Sequence, residues 1–350
     1  MSVRHNHAQA MLGSAARQFG TGVLDVNRMR PYIDKNGESR IAIGNGKSIR
    51  ANTPAMLQYD EWKDIDRTVT EIGVDRLIGI ADLMSKGLVH PLGSIGQTVS
   101  LWENSSDMTP AQVSMSGVAR SAKDAAQFES QQVPVPVIHK DFTLNVRRLE
   151  ASRLFGEGVD TIQSSIATRK VAEASEDMLF AGHATKVDGS TILGYTTHPD
   201  RNTVDLATVW TDGAITGADI VADVQSMLAA LRADHYFGPF SLYIPGEYEG
   251  KLDDDYDPDS GDTRTIRQRI MQLSGIAEIK VADRLANHNV ILVQMTRDVV
   301  DLAIAQDITP VQWVEMGGLV QEFHVMAVWV PRVKSDFDGQ SGIAHLFEFP

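Results

Sequence analysis

The spacing of hydrophobic side chains changes period several times along the chain, and each change marks an element. From Tyr59 to Lys86, the residues Trp62, Ile65, Val69, Ile72, Leu77, Ile80 and Leu83 recur every three to five positions. That spacing predicts a helix with one apolar face. Asp60 is placed to cap its start and Gly87 to end it in a left-handed conformation, while Gly73 and Gly79 weaken it locally. Beyond it the period drops to two: Val113 and Met115 alternate with polar residues. Val133-Pro134-Val135-Pro136-Val137 must be extended, because each proline removes an amide donor and drives the residue before it out of the helical region. With the polar run 116–132 between them, residues 89–141 predict a long two-stranded ribbon with a polar tip. A lone hairpin is marginally stable, so such a ribbon needs a partner surface.

Arg147 to Phe180 returns to a helical period, with Phe155, Val159, Ile162, Ile166, Ala174 and Met178 on one stripe and Gly182 as its stop. A helix of that length is roughly 50 Å long at about 1.5 Å per residue, and Gly156 and Gly158 bend or break its first part. Further on, Ile220, Val224, Met227, Leu228 and Leu231 predict a helix over 218–233. A strand follows at 240–244, then an acidic loop at 252–262 and a helix at 264–273. Strands are predicted at 277–281, 290–294, 299–305, 321–330 and 343–349. Residues 1–52 read as an extended arm with a short hairpin between Ser39 and Ile49. Strands and helices mix without strict alternation, so the fold class is α+β.

Composition narrows the function. No stretch of the 350 residues is apolar enough to span a membrane as a helix, and the N-terminus lacks a continuous apolar signal segment. The chain has no cysteine, which excludes disulfides, thiolate metal sites and cysteine nucleophiles. The net charge is −14, unevenly spread. Residues 1–50 carry eight basic and three acidic side chains, a balance of +5 that leaves −19 for the rest. A basic arm on an acidic body fits docking on acidic protein surface or approach to a polyanion. The acidic body argues against a dominant nucleic-acid-binding surface.

Catalytic signatures are missing. There is no phosphate loop, dinucleotide fingerprint or nucleophile elbow. The run Asp253-Asp254-Asp255-Tyr256-Asp257-Pro258-Asp259-Ser260-Gly261-Asp262 invites a calcium reading, but its EF-hand register fails. Counted from Asp253, the glycine position is Pro258 and the bidentate glutamate position is Arg264. The ten histidines are dispersed and form no metal-binding pair on a helix. No catalytic, cofactor or metal residue is expected, and the chain is expected not to be an enzyme.

The order of these parts resembles the Hong Kong 97-type capsid fold, which encapsulins share. The resemblance covers 52–350. It is carried by Asp60 to Gly93 (DEWKDIDRTVTEIGVDRLIGIADLMSKGLVHPLG), by Val133 to Gly182, and by Tyr248-Glu249-Gly250-Lys251-Leu252 before an acidic loop. It implies an arm (1–52), the first helix region of a peripheral domain (53–88) and an extended loop lying across a neighbouring subunit (89–141). Next come the peripheral domain with a spine helix (142–214), an axial domain (215–320), and C-terminal strands returning to the peripheral domain (321–350). The implied function is a major capsid subunit of a tailed bacteriophage; the alternative is an encapsulin-type shell around a cargo enzyme.

Implied subunit contacts fall on Trp102, Val113, Met115, Phe128, Val133 and Val135 of the ribbon, and on Asp253, Asp255 and Asp257 near the capsomer centre. The implied partners are further copies in pentamers and hexamers, a separate scaffolding protein, portal and decoration proteins, and enclosed double-stranded DNA bound without sequence preference. No cofactor or membrane is implied, and the protein is expected in the virion and, before assembly, in the host cytoplasm. Some members of the fold form lysine–asparagine cross-links. Here the last asparagine is Asn289, so no cross-link is expected.

Overall fold

The computed structural model describes residues 31–34, 38–44, 47–50, 57–106, 108, 109, 111, 113, 115, 125–155, 161–257, 262–314 and 320–349. The chain opens with strands β1 (Pro31–Ile33), β2 (Ser39–Gly44) and β3 (Lys47–Arg50), then helices α1 (Tyr59–Arg76) and α2 (Gly79–Ser85). Strands β4 (Val89–Pro91), β5 (Val99–Ser105), β6 (Phe128–Pro134) and β7 (Val137–Asn145) lead to helices α3 (Val146–Phe155) and α4 (Ile162–Ala181). Strands β8 (His183–Val187), β9 (Ser190–Ile192) and β10 (Asn202–Asp205) precede helix α5 (Gly217–Ala233), strand β11 (Phe240–Ile244) and the single-turn α6 (Glu249–Leu252). After β12 (Asp255–Asp257), β13 (Asp262–Thr265) and α7 (Ile266–Met271) come β14 (Ile276–Val281), β15 (Val290–Gln294), β16 (Val300–Val314), β17 (Val320–Val333) and β18 (Ile343–Phe347). Among the described residues no helix is long and apolar enough to cross a membrane.

The chain divides into two compact units. One holds residues 1–98, 135–179 and 302–330, and the other 99–134, 180–301 and 331–350.

In the first unit, β2 and β3 form the hairpin predicted near Ser39 to Ile49. The single helix predicted from Tyr59 to Lys86 is two helices. Its start is capped by Gln58, two residues before Asp60: the Gln58 amide donates to the Glu61 carboxylate at 2.7 Å. The break at Leu77 has a physical cause on α4. The Glu176 carboxylate accepts the amides of Gly79 at 3.1 Å and Ile80 at 3.0 Å, so the first N–H groups of α2 find a buried acceptor. The apolar face is as predicted, with Trp62, Ile65, Val69, Leu77, Ile80 and Leu83 buried.

Helix α4 departs from its predicted face. Ile162 and Ile166 are exposed, while Ser164, Ala167, Thr168, Val171, Ala172, Ser175 and Glu176 are buried. Small side chains allow close approach, and two of the hydroxyls are satisfied within the helix. Thr168 donates to the Ser164 carbonyl and Ser175 to the Val171 carbonyl, both at 2.8 Å. Ser175 also accepts the Trp329 indole N–H at 3.1 Å. The helix predicted as one rod over 147–180 is described as α3 and α4; 156–160 lie outside the described residues.

The sheet of this unit has the order β4-β16-β17-β7. Strand β7 pairs with β17 over nine positions, from Val320↔Asn145 to Val328↔Val137. Phe142 stacks on Phe323 at 4.9 Å between ring centroids, with Trp62 edge-on to Phe323 at 5.7 Å. This buried aromatic set fixes the register, since a slip of one residue would turn both phenylalanines out of the core.

The second unit is built on a five-stranded sheet of order β10-β18-β15-β11-β14. Pairs β10/β18 and β11/β14 are parallel; β15/β18 and β11/β15 are antiparallel. Strand β11 is buried along its whole length, which its run of large apolar side chains requires; only Ser241 interrupts it. Against the sheet, α5 buries Ile220, Val224, Met227, Leu228 and Leu231, the face read from sequence. Thr216 and Asp219 cap α5 reciprocally, and the Thr216 hydroxyl and amide hold the Asp219 carboxyl below its usual range. The block 321–350 is divided: β17 to Val330 belongs with α4, whereas β18 lies in the five-stranded sheet.

The end of α4 shows why glycine stands at 182. Its φ is +75°, and a Cβ there would meet the Ile192 carbonyl oxygen at 2.4 Å. Thr196 donates its amide and hydroxyl to the Phe180 carbonyl, each at 2.9 Å, and the Thr197 hydroxyl reaches that of Ala181 at 3.1 Å. The loop therefore satisfies carbonyls that the helix end leaves open.

Candidate functional site: the ribbon and the charge cluster at its root

The ribbon is shorter than 89–141. Strand β4 runs parallel to β16 in the four-stranded sheet, and β7 pairs with β17. What remains is β5 and β6, antiparallel over seven positions from Val99↔Pro134 to Ser105↔Phe128. The prolines explain the division: Pro134 and Pro136 offer no amide, and β6 ends between them.

The expected contact residues fall into two groups. Phe128 is 69% exposed and Leu101 63%, and Val113 and Met115 are fully exposed. Val113 and Met115 lie outside the strands, so their alternation with polar neighbours does not mark strand pairing. Val133 and Val135 are buried within the chain, each in its own unit, and present no free apolar surface. Residues 116–124 lie outside the described residues.

Trp102 is half-buried and leads to a cluster that the sequence reading missed. Its ring lies 5.7 Å from the Arg332 guanidinium. Arg332 donates through Nε to Asp301 Oδ1 at 2.5 Å, through a second nitrogen to Oδ2, and to the Ser100 hydroxyl at 3.3 Å. Lys334 donates to the same Asp301 oxygen at 2.8 Å and to the Arg297 carbonyl at 2.6 Å. Asp301 and Arg332 are only 4% and 3% exposed, so this bidentate pair is desolvated and its geometry is strongly determined. It ties inward-facing Ser100 and Trp102, at the start of β5, to the end of β17.

Beside this cluster a cavity of about 140 Å³ is lined by Trp102, Gln132, His198, Asp200, Arg332 and Ser335, among others. Small-molecule sites usually measure roughly 300–1,000 Å³. Burial lowers the His198 pKa, opposed by Asp200 and aided by Arg201. Burial together with Arg201 lowers His345 to about 4.

The acidic loop folds as the β12–β13 hairpin. Asp253 pairs with Arg267 at 2.9 Å and Asp254 with Lys251 at 3.4 Å. Asp255 is exposed and Asp257 half-buried. Asp253 and Asp254 are thus each matched by a cation. The histidines are less dispersed than they look in sequence: His139 and His324 come together with Asp141.

A β-ribbon, a long helix beside a four-stranded sheet and a separate five-stranded α/β unit define a Hong Kong 97-type capsid fold. Solved structures of shells share it, among them the following two. A virus-like particle from Pyrococcus furiosus has a TM-score of 0.56 at 16% identity, covering 81% of this chain and 98% of that one. The capsid of Myoviridae phage XM1 has a TM-score of 0.55 at 12% identity, covering 77% and 92%. The chain belongs to the family of unknown function DUF6260, whose profile matches residues 52–346. It is also 26% identical over 285 residues to the type 1 encapsulin shell protein EncA of Myxococcus xanthus, covering 79% of this chain and 90% of that protein.

Proposed function

We propose that this chain is a structural subunit of a closed icosahedral shell, the head that encloses the genome of a tailed double-stranded-DNA phage. The observation that carries the reading is the β5–β6 ribbon. It presents Leu101 and Phe128 to solvent, and Met108, Val113 and Met115 beyond it are exposed as well. A two-stranded ribbon cannot bury such a row alone, and a second copy supplies the missing surface. Val133 and Val135 act in this reading as internal support, and Trp102 as the joint to Arg332. The acidic hairpin with Asp253, Asp255 and Asp257 faces its counterparts near a capsomer centre. Many such contacts in pentamers and hexamers stabilise the shell through repetition. Scaffolding, portal and decoration proteins complete the set of partners, the DNA is held without sequence readout, and the mature location is the virion.

A second reading, an encapsulin-type shell around a cargo enzyme, is favoured by the similarity to EncA across most of both chains. The contents of native particles distinguish them. Nuclease-protected double-stranded DNA supports the phage head, and a single enriched protein with no DNA supports the encapsulin.

A further inference from the structure

Strand geometry and register bring three metal-ligating side chains to one surface. His139 and Asp141 are two residues apart on β7 and so project to the same face, while Phe142 between the strands points to the core. Register places His324 of β17 opposite Asp141. One donor atom from each of His139, Asp141 and His324 lies within 4.8 Å of the other two. His139 Nδ1 is 3.8 Å from Asp141 Oδ1, His324 Nδ1 contacts the same oxygen, and the two imidazoles stack at 4.4 Å. Both rings therefore turn a nitrogen toward one carboxylate. His139 and Asp141 are half exposed, which leaves one side open.

We propose that His139, Asp141 and His324 form a binding site for a divalent first-row transition metal ion, with zinc(II) as the natural fit. Two imidazoles and a carboxylate form a borderline donor set that suits zinc, with a water in the open fourth position. Bonds of about 2.0–2.1 Å in a tetrahedron place ligand atoms about 3.3 Å apart. Reaching that spacing requires His139 Nδ1 to approach Asp141 Oδ1 by about 0.5 Å from 3.8 Å, and His324 Nδ1, which lies closer than this to the same oxygen, to draw back; the half-exposed His139 and Asp141 side chains have room for both. Ligation through Nδ1 leaves each imidazole proton on Nε2, so neutral histidines bind with no change beyond tautomer. Glu322, two residues before His324 on the same face, adds a second negative charge to attract the cation. The bound ion clips β7 to β17 across the sheet. This site does not depend on what the chain assembles into.

The test uses the untagged full chain with cobalt(II) and zinc(II) as probes. One equivalent of cobalt should bind per chain and give the visible bands of a low-coordinate ion, and zinc should displace it. His139→Ala and His324→Ala should each weaken binding by about tenfold or more, the scale already seen when groups that merely support ligands are removed. Asp141→Asn should weaken it with little change of shape, and His183→Ala, at an exposed histidine elsewhere, should leave it unchanged. Zinc should also raise the melting temperature of the wild type but not of His139→Ala, because it binds only the folded strand pair. No stoichiometric binding by the wild type would overturn the proposal. So would unchanged affinity in His139→Ala and His324→Ala, which would place the ion elsewhere.

Discussion

Replacing Asp301 by alanine probes the joint between the ribbon and its unit. The carboxylate is buried, accepts two hydrogen bonds from Arg332 and a third from Lys334. Its removal strands one nearly inaccessible guanidinium beside a largely buried ammonium. Breaking a buried pair by removing one partner costs about 3–5 kcal/mol. For a unit of this size that is roughly 6–20 °C of melting temperature, at about 2–4 °C per kcal/mol. The double variant Asp301→Ala/Arg332→Met should cost less than Asp301→Ala alone, because it removes the stranded cation as well. Thermal unfolding of dissociated subunits, followed by tryptophan fluorescence, measures both. A loss below about 1 kcal/mol for Asp301→Ala, or a double variant less stable than the single one, would refute the reasoning.

Three further outcomes are expected. Gly182→Ala should destabilise the subunit by at least about 2–3 kcal/mol in denaturant melts, because a Cβ at φ +75° meets backbone 2.4 Å away. Burial raises Glu176 to about 7 against the amides of Gly79 and Ile80, which pull it down. The folded chain therefore keeps a proton that the unfolded chain has lost, and stability should fall as pH rises from about 4.5 to about 7, by on the order of 3 kcal/mol from this group. Denaturant midpoints at pH 5 and pH 7 should show this fall in the wild type and a flatter profile in Glu176→Gln. Leu101→Asp with Phe128→Asp should leave subunit unfolding within about 0.5 kcal/mol of wild type, as exposed positions do, yet abolish closed particles in electron micrographs.

Much of the fold was legible from local chemistry. Helix α5 and strand β11 follow from apolar spacing alone, because both bury the faces that their sequence marks. Helix α4 was misread because its buried side is made of small and hydroxyl-bearing residues. Thr168 and Ser175 donate their hydroxyls to carbonyls within the helix, while Ile162 and Ile166 point outward. The ribbon's extent was misjudged because prolines 134 and 136 mark extended chain without saying that the chain changes sheets there. The charge cluster did leave a signal. Asp301 sits between Val300 and Leu302, and Arg332 follows Val328-Trp329-Val330-Pro331. A lone charge within an apolar strand is seldom buried unpaired. The meeting of His139 and Asp141 with His324 left none, because only long-range strand register brings them together.

Sedimentation velocity and electron microscopy of the purified full chain test the shell reading most directly. Closed particles of uniform diameter, built from this chain alone or with a scaffolding protein added, are the expected result. A subunit that stays monomeric across salt, pH and concentration, with or without scaffolding, would contradict it.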